Sequence, residues 1–326
     1  MRAGTPVIST ADSGGVAEVI NQYKAGWVAP DIGTSLTQTM AKALAFFRGD
    51  DYPAFCEKVR QASLSINWSG VFTATGLDSD LTLNVSAPCS AKRKPPLLVL
   101  APFALRPPLN GGASRIFFFL RAWAHFQPVH LIAPVNAGAS GGTRLLCSDF
   151  VVEEVPVSDD FEAHCQRWSE SLRVSAHDLA LLDGAEFLTP LRAQIEKRLP
   201  EAEAVFLSHP YMINLLPDDV SIPLLYDAQN VEFDLKKGMW TAAGGDPASI
   251  QVGLELVDKA ERQAVRQSES VLTVSRQDAR RLAELYGRPA SGEFIDAPNG
   301  VESARFSGPN EQRRVMLKKR LGISPD

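Results

Sequence analysis

Short apolar runs alternate with helical patterns along most of the chain. The runs at 97–101 and 129–133 are apolar without interruption, as is typical of parallel strands buried on both faces. Further strands are predicted at 150–155, 205–208, 224–227, 271–274 and 294–297. Helices are predicted at 116–126, 183–199, 254–267 and 276–285, and Ser275 with Asp278 forms a capping box for the last of them. This alternation predicts an α/β fold with a doubly wound parallel sheet.

A partial α/β pattern precedes this large domain. Strands are predicted at 6–9 and 26–29, and helices over 16–20, 36–47 and 55–62. So few strands cannot form an independent parallel sheet. Residues 76–96 are rich in Pro, Ser and Lys, which predicts an interdomain linker. Because strand-like and helix-like runs reach both ends of the sequence, we expect the chain to be part of a longer protein.

Composition narrows the function classes. The 326 residues carry a formal net charge of -5, whereas binding to nucleic acid needs a basic surface. No run approaches the roughly 20 apolar residues of a membrane helix, and the first residues lack the apolar core of a signal peptide. We therefore expect a cytoplasmic protein without an integral membrane segment, which leaves peripheral membrane association open. Its four cysteines form no CxxC pair, so reduced thiols and no metal cofactor are expected.

Glycines occupy the turn between the first strand of the large domain and its helix. Asn110, Gly111 and Gly112 stand there, closely followed by Arg115. Glycine lets the backbone approach a ligand, and the amino end of a helix favours an anion. A dinucleotide fingerprint would need GxGxxG and an acid after the second strand, but the chain has GGASR and APV at these places. The turn is therefore either an anion site of another kind or purely structural.

Polar residues follow two later strands. His209 comes after the strand at 205–208, and Asp227, Asn230 and Glu232 lie at the end of the strand at 224–227 or just after it. Carboxyl ends of parallel strands meet at one edge of a sheet, where ligands bind. Asn230 can both donate to and accept from a polyhydroxylated ligand. Local hydrogen bonding by His209 and loop capping by Asp227 are the alternatives. Since no Ser–His–Asp order and no metal-ligand spacing occurs, hydrolase and metalloenzyme functions are not favoured.

Four segments of the large domain resemble the acceptor-side, N-terminal lobe of the two-lobed (GT-B) retaining glycosyltransferases of family 4. They are LLVLAPFALRPPLNGGASRI, LLYDAQNVE, SVLTVSRQDARRL and APNGVESARF. The first residues, with AGTPVI, SGGVAE and GWV, are similar to the end of that family's donor-binding lobe. The resemblance implies a tandem protein: a donor-lobe tail at 1–75, a linker at 76–96, a Rossmann-like acceptor lobe at 97–306 and the start of the next donor lobe at 307–326.

The resemblance also implies an activity and its partners. The parent would transfer a sugar, with retention, from a nucleotide-sugar donor to a glycan or lipid-linked acceptor, without a metal or other cofactor. The contacts to donor phosphate or acceptor would come from Asn110, Gly111, Gly112 and Arg115. Contacts to the sugar or acceptor would come from His209, Asn230 and Glu232, and a hinge from Asn299 and Gly300. The donor-side loop of the first unit would contain Ser13, Gly14, Gly15 and Glu18.

Three departures from the family pattern keep other functions open. The family's pair of donor-site glutamates, eight residues apart, has no counterpart in this sequence. Gln229 stands where the family often has His, and Glu302 stands where it often has Asp. The alternatives are a non-catalytic module that binds nucleotide sugars or carbohydrates, and a GT-B nucleotide-sugar epimerase. Because the resemblance gives this chain no complete donor lobe, we expect the chain alone to be inactive.

Overall fold

The computed structural model describes residues 6–11, 15–31, 33–47, 49–65, 94–105, 111–147, 149–218, 220–290 and 292–300. These residues fall into two compact units, one made of those within 1–71 together with Asn299 and Gly300, and the other made of those within 72–298. Most of the predicted linker, at 76–93, and all of 301–326 lie outside the described residues. The predicted domain limits therefore stay predictions.

The smaller unit contains two parallel strands, β1 (Val7–Thr10) and β2 (Gly26–Ala29). Its helices are Gly15–Tyr23, Thr34–Phe47 and Tyr52–Ser65. The partly buried rings of Trp27, Phe46 and Phe55 pack together, with centroids 5.6 Å apart for Trp27–Phe46, 5.5 Å for Trp27–Phe55 and 5.1 Å for Phe46–Phe55. Gly26 is required at the start of β2, since a Cβ there would lie 1.8 Å from the carbonyl oxygen of Val7. The elements match those predicted from the sequence.

The larger unit is built on a sheet that has eight strands in the part of the chain described. In chain order they are β3 (Leu97–Leu100), β4 (Val129–Val135), β5 (Gly142–Cys147), β6 (Phe150–Pro156), β7 (Ala204–Ser208), β8 (Leu224–Ala228), β9 (Ser270–Thr273) and β10 (Phe294–Asp296). Their spatial order is β10-β9-β8-β7-β3-β4-β6-β5, and only the β5–β6 pair is antiparallel. The chain thus starts in the middle, adds β4 and β6 on one side and β7 to β10 on the other. This confirms the predicted α/β fold with a doubly wound, mostly parallel sheet.

Helices cover both faces of this sheet. On one face lies the helix Gly111–Trp123, where Phe119 stacks on Phe206 of β7 with centroids 6.0 Å apart. On the other face, Leu98 and Leu100 lie in the main hydrophobic core. The helices on that side are Asp159–Leu172, His177–Asp183, Thr189–Arg198, Glu232–Ala243, Pro247–Gln267 and Arg276–Tyr286. Short 3-10 turns occur at Ala185–Leu188, Leu199–Glu201 and Pro210–Leu215.

Several elements differ from the sequence-based prediction. The helix expected at 183–199 is divided, because His177–Asp183 ends at Gly184, whose N–H bonds the carbonyl of Ala180 at 2.8 Å. The helices Asp159–Leu172 and Glu232–Ala243 were not predicted. The first of them starts at an N-cap serine, and Phe161, Cys165, Trp168 and Leu172 form a narrow apolar stripe that was overlooked among its polar residues. The strand β5 was missed because it is a mostly exposed edge strand without a buried apolar run.

Candidate functional site

The connections that follow β3 and β7 meet at the carboxyl edge of the sheet, where the strand order reverses. β3 and β7 are neighbours, and the chain leaves them toward opposite faces: to the helix Gly111–Trp123 after β3, and to the 3-10 turn Pro210–Leu215 after β7. Diverging connections leave a crevice between strand ends, which is the usual ligand position in doubly wound sheets. The rings of Phe103 and His209 lie there with centroids 5.6 Å apart.

An exposed glycine begins the helix on the β3 side of the crevice. A Cβ built on Gly111 would meet no other described atom within 4 Å, and Gly112 is half-buried. The first turn of this helix carries no acidic residue. Because unsatisfied N–H groups make a helix amino end attractive to anions, the geometry suits the anion contact expected of these glycines. That contact stays a prediction, and Asn110 lies outside the described residues.

Arg115 holds the fold together from inside this helix. Its side chain is 1% exposed, and Nε and Nη2 bond Oδ1 of Asp227 at 3.0 and 2.5 Å. Nη1 donates to the carbonyl of Ala297 at 2.7 Å. Two buried charges are tolerated only when they are paired and hydrogen-bonded in this way. The expected contact of Arg115 with phosphate or acceptor does not fit this geometry, because its guanidinium is already committed to Asp227 and Ala297.

Asp227 extends this ion pair to the end of β7. Nε2 of Gln229 donates to Oδ2 of Asp227 at 3.3 Å and to the hydroxyl of Ser208 at 3.2 Å, and all three side chains are buried. Asp227 therefore serves as the partner of Arg115 rather than as a simple loop cap. Hydrogen bonds thus join the helix Gly111–Trp123, which we call the glycine-led helix, to the ends of β7 and β8.

His209 has a backbone conformation that only glycine adopts easily. Its φ is 83° and its ψ is 153°, a region that costs other residues about 1–3 kcal/mol. Nδ1 donates to the carbonyl of Ser208 at 2.7 Å, since a carbonyl can only accept, and in the neutral ring Nε2 then carries the lone pair. The local hydrogen bond was the alternative explanation for this histidine, but it does not explain the strain. Strained residues cluster at ligand sites, which favours the predicted contact.

Glu232 lies inside the protein, at the start of the helix Glu232–Ala243. It is 2% exposed and accepts hydrogen bonds from the hydroxyl of Tyr211 and from Nδ2 of Asn230, the latter at 3.1 Å. Burial raises the pKa of Tyr211 well above its usual value, so the hydroxyl stays protonated and donates a hydrogen bond to Glu232. The predicted sugar contact of Glu232 therefore does not fit the structure. Asn230 is half-buried after β8, and its contact with a sugar stays a prediction.

A second carboxylate, Glu261, holds the amino end of the same helix. Its oxygens accept from the backbone N–H groups of Glu232 at 2.7 Å and Phe233 at 3.1 Å, and from the hydroxyl of Tyr286 at 3.0 Å. The side chain is fully buried. Burial raises the pKa of Glu261 to about 7, against the lowering effect of the backbone hydrogen bonds. The protein's own carboxylate thus occupies this helix end and fixes the segment that follows β8.

A cleft of about 460 Å³ opens at the carboxyl ends of β3 and β4, and we call it the β3–β4 cleft. Its lining consists of Pro102, Phe103, Ala104, Pro134, Val135, Asn136, Ala139, Ser175, His177 and Asp178. Both its volume and its mostly apolar wall with a few polar groups are typical of small-molecule sites. None of these residues was predicted. Phe103 could have been found from its place just after β3, whereas His177 and Asp178 begin a helix that the sequence pattern did not reveal.

The remaining predicted residues are placed as follows. Gly15 and Glu18 lie in the first turn of the helix Gly15–Tyr23, while Ser13 and Gly14 lie outside the described residues. Asn299 is exposed and Gly300 is half-buried, and their hinge role stays a prediction. Within the described ranges, no three His, Cys, Asp or Glu side chains are grouped as metal ligands. In the same ranges, no helix has the length and apolar character needed to cross a membrane.

No family model and no curated protein matches the chain. Among solved structures, one described as "Trehalose-6-phosphate from E. coli bound with UDP-2-fluoro glucose" is similar over 69% of this chain and 54% of its own, with 12% identity and a TM-score of 0.42. An α,α-trehalose-phosphate synthase (UDP-forming) from Burkholderia vietnamiensis is similar over 70% of this chain and 54% of its own, with 12% identity and a TM-score of 0.42. A sucrose-phosphate synthase structure from Thermosynechococcus elongatus is similar over 70% of this chain and 99% of its own, with 10% identity and a TM-score of 0.37. The chain spans about half the length of the two trehalose-phosphate proteins, 54% in each case.

Proposed function

We propose that the larger unit is the acceptor-side lobe of a two-lobed retaining glycosyltransferase. Its parent would move a sugar from a nucleotide-sugar donor to a glycan or lipid-linked acceptor in the cytoplasm, without a metal or other cofactor. The observation that carries the proposal is the crevice where the strand order reverses. There, the ring of Phe103, which follows β3, contacts the ring of His209, whose backbone is strained.

The chemistry of sugar transfer suits the groups gathered at this edge. The bond between the anomeric carbon and the diphosphate oxygen breaks with its electron pair left on the diphosphate, a bond to the acceptor oxygen forms, and the acceptor hydroxyl passes its proton to the leaving diphosphate. Positive charge develops on the sugar ring while negative charge grows on the leaving diphosphate. In the proposal, N–H groups at Gly111 and Gly112 stabilise that diphosphate, and Nε2 of His209 accepts a hydrogen bond from a sugar hydroxyl.

The proposal assigns ligand binding, without turnover, to this chain alone. The paired glutamates that the family resemblance assigns to the donor site are absent from the sequence, so the chain should release no UDP from UDP-glucose. Release of UDP at rates well above the buffer control would contradict this part of the proposal.

Ligand-observed NMR with the full chain tests the proposal. Methyl α-D-glucopyranoside should show saturation transfer from the wild-type protein, and the signal should fall strongly in Phe103→Ala and in His209→Ala. Phe47→Ala is the matched control, because Phe47 is a partly exposed phenylalanine of the smaller unit. No saturation transfer to a folded protein, or equal transfer in the wild type and both crevice variants, would contradict the proposal.

A further inference from the structure

We infer that the β3–β4 cleft accepts an uncharged, hydroxylated acceptor group, such as an unphosphorylated sugar residue, and rejects a phosphorylated one. The inference rests on the proposed function, because it names the acceptor class for that same lobe. It follows from the charges that line the cleft and from the carboxylates that stand beside it.

The described residues that line the cleft offer hydrogen bonds, and none of them is a cation. The described lining residues include no Lys or Arg, and its polar members are Asn136, Ser175, His177 and Asp178. Burial lowers the pKa of His177, so the ring is neutral at neutral pH. Neutral donors and acceptors on an apolar wall suit a ring that carries hydroxyl groups. A phosphate binds best to cationic partners, and the described lining residues supply none.

Asp178 contributes a carboxylate to the lining of the cleft, and its counter-ion is the buried Lys236. One oxygen of Asp178 pairs with Nζ of Lys236, and the other accepts from the backbone N–H of Leu179 at 2.9 Å. The Lys236 side chain is 8% exposed, and its ammonium group lies 5.3 Å from the ring centroid of Tyr211. Because its charge is shared between Asp178 and that ring, it is not presented to a ligand. A phosphate in the cleft would instead face the carboxylate, and like charges repel.

A second carboxylate stands beside the cleft after β4. Oε1 of Glu162 accepts from the backbone N–H of Ala137 at 2.6 Å, in the loop that supplies Asn136 and Ala139 to the lining. Two backbone N–H groups at this end of the sheet, those of Ala137 and Leu179, are thus bonded to the protein's own carboxylates. A phosphate could therefore bond these two N–H groups only by displacing a carboxylate.

The glycine-led helix differs from the cleft in this respect. Its first turn carries no acidic residue, and it starts at the exposed Gly111. The carboxyl edge therefore separates charge: a region that suits an anionic diphosphate lies at this helix end, and a region that repels a second anion lies at the ends of β3 and β4. An acceptor that carries its own phosphate is the wrong occupant for such an edge.

Titration of the full chain with two sugars tests the inference. Methyl α-D-glucopyranoside should bind about tenfold more tightly than D-glucose 6-phosphate, a ratio that corresponds to the repulsion of one partly screened charge. Asp178→Asn leaves Lys236 without its counter-ion, so affinity for glucose 6-phosphate should rise roughly tenfold while that for the methyl glycoside stays within about threefold. The matched control is Asp160→Asn, which makes the same charge change at an exposed position outside the lining and should alter neither affinity.

The outcomes separate this inference from the proposed function. Binding of glucose 6-phosphate as tightly as the methyl glycoside, with both lost in Phe103→Ala, would overturn the inference and leave the proposed function standing. Failure of both sugars to bind would overturn both. The comparison of the two sugars on the wild-type protein decides the inference even if Asp178→Asn does not fold.

Discussion

Replacement of Glu261 by Gln should remove a pH dependence of stability that the buried carboxylate creates. Glu261 is fully buried, and burial raises its pKa from 4.5 to about 7. Since the folded-state pKa lies above the unfolded one, this group stabilises the fold fully below pH 4.5, and that stabilisation is lost as the pH rises through 7. The difference between the two pKa values corresponds to about 3 kcal/mol of unfolding free energy.

Hydrogen exchange at the amide of Phe233 measures this effect locally, because that N–H donates to Glu261. The opening free energy should be measured between about pH 4 and pH 8 for the wild type and for Glu261→Gln. The difference between them, wild type minus variant, should fall by about 3 kcal/mol across this range, since all other titrating groups cancel. The matched control is Glu255→Gln, an exposed position on the same helix Pro247–Gln267, which should follow the wild type.

Parallel profiles for the wild type and Glu261→Gln would refute the reasoning. They would mean that the backbone N–H groups and Tyr286 compensate the buried charge completely. An opening free energy of the wild type that grows with rising pH relative to Glu261→Gln would also refute the reasoning, because it would place the folded pKa of Glu261 below its ordinary value.

Three further substitutions test the site. His209→Gly relieves the strained backbone that His209→Ala keeps, so urea unfolding should show the glycine variant about 1 kcal/mol more stable than the alanine variant, while both bind the methyl glycoside more weakly than the wild type; equal stability of the two variants would contradict the strain. Arg115→Met leaves Asp227 buried without its partner and should cost about 3–5 kcal/mol in the same assay. Addition of Asp227→Leu should recover much of that loss, and no recovery would argue against the ion pair as its cause. Arg144→Ala removes the 2.6 Å hydrogen bond to the carbonyl of Leu105, in the segment after β3. It should weaken glycoside binding about threefold with little change in stability, since Arg144 is partly exposed, and unchanged binding would refute this positioning role.

The parallel part of the sheet could be predicted because its physics is local to each strand. β3 and β4 are buried on both faces, so they stand out as uninterrupted apolar runs. β5 has exposed positions on an edge and carries no comparable signal. The helix Asp159–Leu172 does carry one, because Phe161, Cys165, Trp168 and Leu172 recur at helical spacing and pack on the core. The N-cap bond from Phe161 N to Ser158 Oγ at 3.1 Å starts this helix.

The candidate site could be predicted only as far as strand ends define it. Gly111 and His209 follow predicted strands, so their place at the carboxyl edge was accessible from the sequence. The role of Arg115 was not, because its partner Asp227 is 112 residues away and the pair forms only when the helix Gly111–Trp123 packs on the sheet that contains β8. The contribution of His177 was equally hidden, since it depends on a helix that packs back over the ends of β3 and β4.

Chemical-shift mapping of methyl α-D-glucopyranoside on the isotope-labelled full chain tests the central claim most directly. The account predicts that the largest changes fall on Phe103, His177 and His209, at the carboxyl edge beside β3. Changes centred instead on the charged depression of about 590 Å³ around Arg280 and Glu284, or no changes in the folded protein, would contradict it.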